Sequence, residues 1–157
     1  MQVSNTMKRT VISTSPQTTV LEAAKLLIQK RIGTLPVVDS NGKLIGMLTI
    51  DDILDVFIPN YFGLMENLSF VHDFGALEDF LPKDVSEIAN VAVETLMEPP
   101  VSIEESESIF RAATKLFRHD LKDLPIVDSQ GKLVGLASHV DVGIAFLRKW
   151  VEIQGFS

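Results

Sequence analysis

The sequence predicts an α/β protein made of two pseudo-symmetric copies of one small unit, each with the order strand, helix, strand, strand, helix. The first observation is an internal repeat. Residues 35–52 return as residues 124–141 at a constant offset of 89, and ten of the 18 positions are identical. The second is that short β-branched runs alternate, in each copy, with apolar residues at helical spacing. A repeat this regular indicates two copies of one supersecondary unit in a single chain.

The repeated stretch is typical of a β-hairpin that leads into a helix. Pro36 opens the first strand, where a missing backbone donor is tolerated. Residues 39–42 have the composition of a turn, because Gly42 can adopt a positive φ. The return strand is predicted over residues 43–48. Gly46 inside that strand indicates that another backbone, or a ligand, approaches it closely.

Each hairpin ends at a strand-to-helix junction with a hydroxyl residue and an aspartate three residues later. These pairs are Thr49 with Asp52 and Ser138 with Asp141. The spacing is that of a capping box, with Asp in place of the usual Glu or Gln. The four residues can therefore be helix caps and nothing more, and the pattern alone leaves this open.

The other elements of the first copy follow in chain order. A β-rich run predicts a strand over residues 10–14. A helix capped by Thr18 or Thr19 follows, and Gly33 is predicted to end it. The second helix of this copy is predicted over residues 50–57.

The second copy repeats this plan. A strand is predicted over residues 101–103, followed by a helix that Ser108 caps and that runs to about His119. After the hairpin, a final helix is predicted over residues 139–153. The predicted boundaries are therefore 1–57 for the first copy, 58–92 for a middle segment and 93–157 for the second copy with its C-terminal helix.

The middle segment carries the acidic charge of the chain. Residues 55–95 hold eight acidic residues and one basic residue, within a net charge of −7. The segment is rich in phenylalanine, and its apolar residues recur at helical spacing after Ser69, a plausible N-cap. These residues are Phe70, Phe74, Leu77 and Leu81. They form either a helical arm that packs on its own domain or a docking surface for another protein.

Composition excludes several functional classes. No basic patch is available to neutralise phosphates, so nucleic-acid binding is not expected. No apolar run reaches the length of a membrane span, the first nine residues are polar, and cysteine is absent, so a cytoplasmic protein without membrane insertion is expected. His72, His119 and His139 show no metal-ligand spacing, and no nucleophile triad or phosphate loop occurs. Neither a metal site nor catalysis is predicted.

Both copies resemble the cystathionine β-synthase (CBS) domain, and the pair resembles a tandem CBS module, also called a Bateman module. The resemblance rests on the lead segments and on the two hairpins with their T/S-x-x-D ends. The lead segments are V-I-S-T-S-P-Q-T-T-V (Val11–Val20) and P-V-S-I-E-E-S-E-S-I (Pro100–Ile109). It covers about residues 3–57 and 93–147.

The resemblance implies a fold and a function. In that family two CBS motifs pack through their sheets with pseudo-twofold symmetry and leave two clefts. Adenosine-containing ligands such as AMP, ADP, ATP or S-adenosylmethionine occupy one or both. The implied function is a non-catalytic ligand-sensing module, a homodimer, that transmits occupancy to a dimer interface or a regulated protein. The alternative is a structural module with empty clefts that dimerises through the middle segment.

The resemblance also assigns site residues. Thr49, Asp52, Ser138 and Asp141 would bind the ribose hydroxyls, since a carboxylate accepts well from a vicinal diol. The adenine would lie against two sets of residues: Ile12, Ser13, Thr14, Gly33, Thr34 and Leu35, and Val101, Ser102, Ile103, Lys122, Asp123 and Leu124. The phosphate candidates are Lys30, Arg31, Arg118, His119 and Lys122, which are alternatively solvated helix ends.

The two copies differ in their supply of positive charge. The first copy has Gly33 and Thr34 where many relatives carry a basic residue, which weakens the case for phosphate binding there. The second copy has more basic residues nearby, so the cleft of Asp141 is predicted to be the nucleotide site.

Overall fold

The second copy folds in the predicted order of strand, helix, strand, strand and helix, and the first copy does so except that its lead strand is a single bridge residue. The computed structural model describes residues 1–57 and 85–155. The first copy contains α1 (Val20–Lys30), β1 (Thr34–Val38), β2 (Leu44–Thr49) and α2 (Ile50–Phe57). The chain then continues with α3 (Val85–Ala89), α4 (Val93–Leu96), β3 (Ile103–Glu104), α5 (Ile109–Arg118), β4 (Asp123–Val127), β5 (Leu133–Ser138) and α6 (His139–Ile153). The predicted apolar stripe at Phe70, Phe74, Leu77 and Leu81, with its cap Ser69, lies outside the described residues.

Helix α1 begins at the predicted cap but ends at Lys30, three residues before Gly33, the predicted stop. Thr19 caps it, because its side chain accepts from the backbone N–H of Glu22 at 3.2 Å. Arg31, with φ of 51°, takes the left-handed conformation after the last turn, and Asp120 does the same after α5 with φ of 50°. The prediction that Gly33 ends the helix was wrong. The N–H groups of Arg31 and Ile32 bond to the last helical carbonyls and stabilise the turn without glycine.

The predicted lead strand over residues 10–14 is reduced to one residue. Thr14 forms an isolated parallel bridge with Val37, and its equivalent strand in the second copy, β3, has two residues. The reason is the path of the chain. Lys8 is still bonded to Leu136 of the second copy, so residues 9–13 cross from one sheet to the other. The segment therefore has little length left for pairing.

The segment before each copy packs into the core of the other copy. Val3 and Met7 belong to the buried cluster of the second copy, and Val93 belongs to that of the first with Met97 packed against it. Gly46 permits this exchange, because a Cβ at that position would overlap the Met97 sulfur; Gly135 and Met7 repeat the arrangement. The close neighbour predicted for Gly46 is thus a methionine side chain.

The two sheets join at the turns of their hairpins. The backbone N–H of Leu44 donates to Gly131 O, and that of Leu133 donates to Gly42 O, both at 3.1 Å. Each bond maps on the other at the 89-residue offset, so a pseudo-twofold axis passes between Lys43 and Lys132, which form a bridge. Among the described residues, no helix has the length and apolarity that crossing a bilayer requires.

Candidate functional site

A cleft of about 540 Å³ lies between the two copies. This volume is in the range of small-molecule sites. The first copy contributes Gly33, Thr34, Met47, Thr49, Ile50, Asp51 and Asp52. The second copy contributes Glu98, Pro99, Val101, Asp120, Leu121, Lys122, Asp123 and Pro125.

The Thr49–Asp52 pair forms the capping box that its spacing predicts, and it also faces the cleft. Thr49 donates to Asp52 Oδ2 from its backbone N–H at 2.7 Å and from its hydroxyl at 3.0 Å. The backbone N–H of Asp52 donates to Thr49 Oγ1 at 3.3 Å. The box uses Oδ2, and no hydrogen bond from the described residues reaches the other oxygen, Oδ1, which can therefore accept from a ligand. The cap and a ligand contact are therefore compatible in one residue.

The equivalent pair of the second copy has the same geometry. Ser138 donates to Asp141 Oδ2 from its hydroxyl at 2.8 Å and from its backbone N–H at 3.4 Å. The N–H of Asp141 donates to Ser138 Oγ at 3.1 Å. Thr6 adds a bond from its hydroxyl to the Asp141 carbonyl at 3.3 Å. The N-terminal arm thus reaches the start of α6.

The cleft combines the ribose candidates of the first copy with adenine candidates of both copies. Opposite Thr49 and Asp52 lie Val101, Lys122 and Asp123. Sequence reasoning grouped the candidates by copy and did not foresee this exchange. It follows from the crossing of the lead segments, because each of them passes from the sheet of one copy to the sheet of the other.

The remaining adenine candidates are placed away from this cleft. The side chains of Leu35, Leu124 and Ile103 belong to the buried cores. Thr14 is also buried, and its hydroxyl donates to Thr18 Oγ1 at 2.8 Å. Ile12 packs against the core of the first copy, Ser13 is half-buried, and the Ser102 carbonyl accepts from the ammonium of Lys115.

A hydrogen bond across the repeat lies at the centre of the site. The Thr34 hydroxyl donates to Asp123 Oδ2 at 2.7 Å, and the two residues are 89 positions apart. They are thus the same position of the repeat, meeting near the pseudo-twofold axis. Each precedes the L-P dipeptide of its copy, which is the signal that could have indicated this contact in the sequence.

The cleft of Thr49 and Asp52 is predominantly acidic. Among the described residues that line it, Lys122 is the one member of the predicted phosphate set. Lys30, Arg31, Arg118 and His119 are exposed at or just beyond the ends of α1 and α5. Among the described residues, five carboxylates line this cleft together with Lys122, so the formal charge of its lining is −4. They are Asp51, Asp52, Glu98, Asp120 and Asp123. Asp51, Glu98 and Asp120 were missed as site residues.

A family model described as "CBS domain" matches residues 3–59 and 88–145, which are most of the chain. The chain belongs to the CBS domain family. Its two matched segments coincide with the two copies of the repeat, so it is a tandem CBS pair.

Curated relatives share the pair but are longer proteins. The chain is 34% identical over 150 residues to CBS domain-containing protein CBSX1, chloroplastic, of Arabidopsis thaliana, covering 91% of this chain and 62% of that protein. It is 32% identical over 133 residues to inosine-5′-monophosphate dehydrogenase of Aquifex aeolicus, covering 83% of this chain and 21% of the enzyme. The chain thus spans less than two thirds of these curated relatives.

Solved structures of CBS pairs superpose on nearly the whole chain. CBSX2 of Arabidopsis thaliana in complex with AMP gives a TM-score of 0.69 at 27% identity, covering 94% of this chain and 96% of the other. The CBS domain pair of protein MJ0100, in complex with 5′-methylthioadenosine and S-adenosyl-L-methionine, gives 0.67 at 23% identity. That alignment covers 95% of this chain and 98% of MJ0100's, and it supports the fold.

Two grooves on the helical surface of the CBS pair repeat each other. One, of about 560 Å³, lies between α1 and α2, and the other, of about 430 Å³, lies between α5 and α6. Their linings correspond at the 89-residue offset throughout. Ile28 lines the first and is 75% exposed; its equivalent, Phe117, lines the second and is 90% exposed. The helices therefore present large apolar side chains to the surroundings.

Proposed function

We propose that this CBS pair is a regulatory module that binds an adenosine-containing ligand between its two copies. The observation that carries the proposal is Asp52, which caps α2 through one carboxylate oxygen and lines a cleft of suitable volume. The AMP complex of CBSX2, a similar pair, supports the same ligand class. AMP, ADP, ATP and S-adenosylmethionine are the candidate ligands, and no catalytic step is proposed.

The chemistry of the cleft suits a nucleoside. An ionised carboxylate is an acceptor with two oxygens, so Asp52 can receive the hydroxyls of a ribose at Oδ1 while Oδ2 keeps the cap. Val101 supplies an apolar wall for the base, and Lys122 supplies a cation near the opposite side. In the second copy Asp141 offers the same acceptor at the start of α6.

Ligand binding would be transmitted through the helices that begin at these aspartates. Helix α2 starts one residue after Thr49, and its side chains Ile50, Ile53 and Leu54 line the groove beside α1. Helix α6 stands in the same relation to the groove beside α5. A ligand that binds the first turn of such a helix and favours one position of the helix also shifts the apolar side chains on that helix. We propose that this surface binds a second copy in a homodimer, or a regulated protein.

The alternative function is a structural module in which Asp52 and Asp141 are caps alone and the clefts stay empty. The capping boxes favour it, because both carboxylates already have intramolecular partners. A cytoplasmic location, expected from the sequence, stays a proposal, since the name of the plant relative CBSX1 includes "chloroplastic".

A thermal-shift panel tests the proposal. A ligand that binds only the folded state stabilises it by about 2.7 kcal/mol at a hundredfold excess over its dissociation constant. We expect at least one of AMP, ADP, ATP and S-adenosylmethionine to raise the melting temperature. If none of them changes it, the structural alternative is supported.

Substitution of the aspartates separates capping from ligand binding. Loss of a cap costs about 0.5–2 kcal/mol of stability, and loss of a charge-assisted hydrogen bond about 1.5–3 kcal/mol, which is about 10- to 150-fold in affinity. Asp52→Asn and Asp141→Asn keep a capping acceptor. At the aspartate that holds the ribose, the Asn variant should therefore bind the ligand more weakly with little change in melting temperature. The Ala variant at the same position should lose both ligand affinity and stability. Ser108→Ala, which removes a cap outside the cleft, is the control and should lower stability alone.

A further inference from the structure

The pseudo-twofold relation predicts a second cleft, beside Ser138 and Asp141, that is held by the same backbone contacts as the cleft of Thr49 and Asp52 but carries different side chains. Met47 and Glu98 exchange backbone hydrogen bonds at 3.0 and 2.8 Å, and Leu136 and Lys8 exchange the same two bonds at 2.9 and 2.8 Å. The methionine before Glu98 packs on Gly46, and the methionine before Lys8 packs on Gly135. Lys8 therefore occupies, beside Ser138 and Asp141, the place that Glu98 occupies beside Thr49 and Asp52.

A second charge is inverted between the clefts at the ends of the long helices. Asp120 follows α5 in the left-handed conformation and lines the cleft of Asp52. Its equivalent, Arg31, follows α1 in the same conformation. The pseudo-twofold relation therefore places Arg31 at the expected cleft of Asp141, in addition to the groove between α1 and α2 that it lines.

The remaining equivalent positions extend this contrast. Asp51 corresponds to Val140, and Pro99, one residue after Glu98, corresponds to Arg9, which also approaches Glu105 at 4.0 Å. Thr34 and Asp123 meet near the axis, and Gly33, Thr34, Lys122 and Asp123 all line the described cleft, so the symmetry makes Lys122 and Asp123 common to both clefts. Counted over the described lining residues, the cleft of Asp52 has a formal charge of −4, and the equivalent positions around Asp141 sum to +2, or to +1 without Arg9.

We infer that the two clefts select adenosine ligands of opposite charge, with Glu98 and Lys8 as the determining residues. The cleft of Ser138 and Asp141 takes a phosphate-bearing nucleotide. The cleft of Thr49 and Asp52 takes an adenosine compound whose 5′ group is uncharged or cationic. Both keep an aspartate for the ribose, so the difference acts at the 5′ end of the ligand. The inference rests on the proposed function.

The source of the positive charge differs from the one that the sequence predicts. Sequence reasoning also favoured the cleft of Asp141, but on account of Arg118, His119 and Lys122. Arg118 and His119 are exposed at the C-terminal end of α5, and Lys122 lines the described cleft of Asp52. The structure brings Lys8 instead, on the N-terminal arm that crosses to β5.

The test is a matched pair of charge reversals, Lys8→Glu and Glu98→Lys, titrated calorimetrically with AMP, adenosine and S-adenosylmethionine. Both side chains are exposed and hold the sheet through backbone bonds, so the variants are expected to fold, and melting temperatures check this. Exposed charge pairs contribute about 0.2–1 kcal/mol each, and reversal replaces an attraction by a repulsion, so we expect changes in AMP affinity of about 2- to 30-fold. Lys8→Glu should weaken AMP, and Glu98→Lys should strengthen AMP and weaken S-adenosylmethionine.

Adenosine and a distant charge reversal are the controls. Adenosine lacks the phosphate, so both reversals should leave its affinity within about twofold. Lys132→Glu makes the same charge change at the turn end of the second hairpin, away from the residues that line the cleft, and should leave AMP binding as it is. Added salt should reduce the difference between Lys8→Glu and the unsubstituted protein, because it screens exposed charges.

The outcomes separate this inference from the proposed function. If none of AMP, ADP, ATP, adenosine and S-adenosylmethionine binds, the proposed function is wrong and the inference with it. If they bind, but Lys8→Glu and Glu98→Lys leave AMP affinity unchanged, the charge selection alone is wrong. It is also wrong if Asp52→Asn weakens AMP more than Asp141→Asn does.

Discussion

Gly46 and Gly135 show how single residues determine the path of this chain. Each lies inside a strand, where glycine is otherwise unfavourable, and each receives a methionine from the segment that precedes the other copy. A side chain at either position would collide with the sulfur. These two contacts therefore hold the crossed arms that shape both clefts.

Gly46→Ala is expected to destabilise the protein. The added Cβ overlaps Met97 Sδ, and overpacking of this kind costs about 1–3 kcal/mol. Urea unfolding measures the change. Gly143→Ala, in the interior of α6 with no atom within 4 Å of the new Cβ, is the control and should stabilise by about 0.5–1 kcal/mol. Equal stability of Gly46→Ala and the unsubstituted protein would show that Met97 moves aside without cost.

Glu22 provides a prediction about pH. The bonds that its carboxylate accepts from the backbone N–H and the hydroxyl of Thr19 lower the pKa of Glu22, and Lys25 lowers it further. A carboxyl group whose pKa is lowered by folding stabilises the folded state above its unfolded pKa, and this contribution is lost as the pH falls through the folded pKa. Glu22→Gln should thus be less stable than the unsubstituted protein at neutral pH.

The difference in stability between Glu22→Gln and the unsubstituted protein should become smaller as the pH falls. Glutamine keeps a capping acceptor but has no charge to titrate, so the comparison isolates ionisation. Thermal melts of both proteins between neutral pH and pH values below the ordinary glutamate range measure the narrowing. A constant difference over that range would contradict a role for the charge.

At the scale of elements, α1 and α5 are equivalent helices with unequal N-terminal caps. Thr19 and Glu22 form a reciprocal capping box on α1. Ser108 accepts from the backbone N–H of Arg111, but position 111 is a cation that pairs with Glu107 at 3.1 Å instead of returning a bond. Helix α1 therefore has one more of its free N–H groups satisfied by a side chain.

Thr19→Ala is consequently expected to cost more stability than Ser108→Ala. The loss of stability in both variants should fall in the range of about 0.5–2 kcal/mol for lost caps. Thr19→Ala should lie in the upper part of that range, because it also removes the hydroxyl that bonds to the Glu22 carboxylate. Chemical denaturation of the two variants under one set of conditions gives the comparison. A larger loss for Ser108→Ala would show that the reciprocal bond contributes little.

At the scale of the whole molecule, the helical surface accounts for the proposed assembly. The grooves beside α1 and α5 are related by the pseudo-twofold axis and expose Ile28 and Phe117. Exposed apolar patches of this kind mark interaction sites. A surface that is repeated by symmetry within one chain is suited to pair with a second copy.

We therefore expect a homodimer in solution and a monomer on charge substitution of this surface. Light scattering at micromolar concentration should return about twice the 17.3 kDa chain mass. Ile28→Glu and Phe117→Glu should shift it toward the monomer, because burying an unpaired charge in an apolar contact is costly. Gln29→Glu, on the exposed side of α1 and outside the groove lining, is the control. A 17.3 kDa species for the unsubstituted protein would rule the dimer out.

The sequence by itself determined the local structure and the family. The helices α2 and α6 have the predicted bounds, and the hairpins and T/S-x-x-D caps lie where turn chemistry and capping spacing predict them. These features depend on residues a few positions apart, so composition and periodicity are sufficient to find them. The 89-residue repeat likewise indicated the CBS pair.

The tertiary structure alone decided which parts of the two copies meet. Thr34 bonds to Asp123, Lys8 takes a place beside β5, and Val101 faces Asp52 across the cleft. In each case the partners are separated by tens of residues, so capping spacing and periodicity do not reach the contact, and only the repeated L-P dipeptide marks Thr34 and Asp123 as equivalent positions. The packing of the two units and the crossing of their lead segments set the composition and charge of each cleft. That is why the sequence could indicate the ribose aspartates but not the acidic residues that surround Asp52.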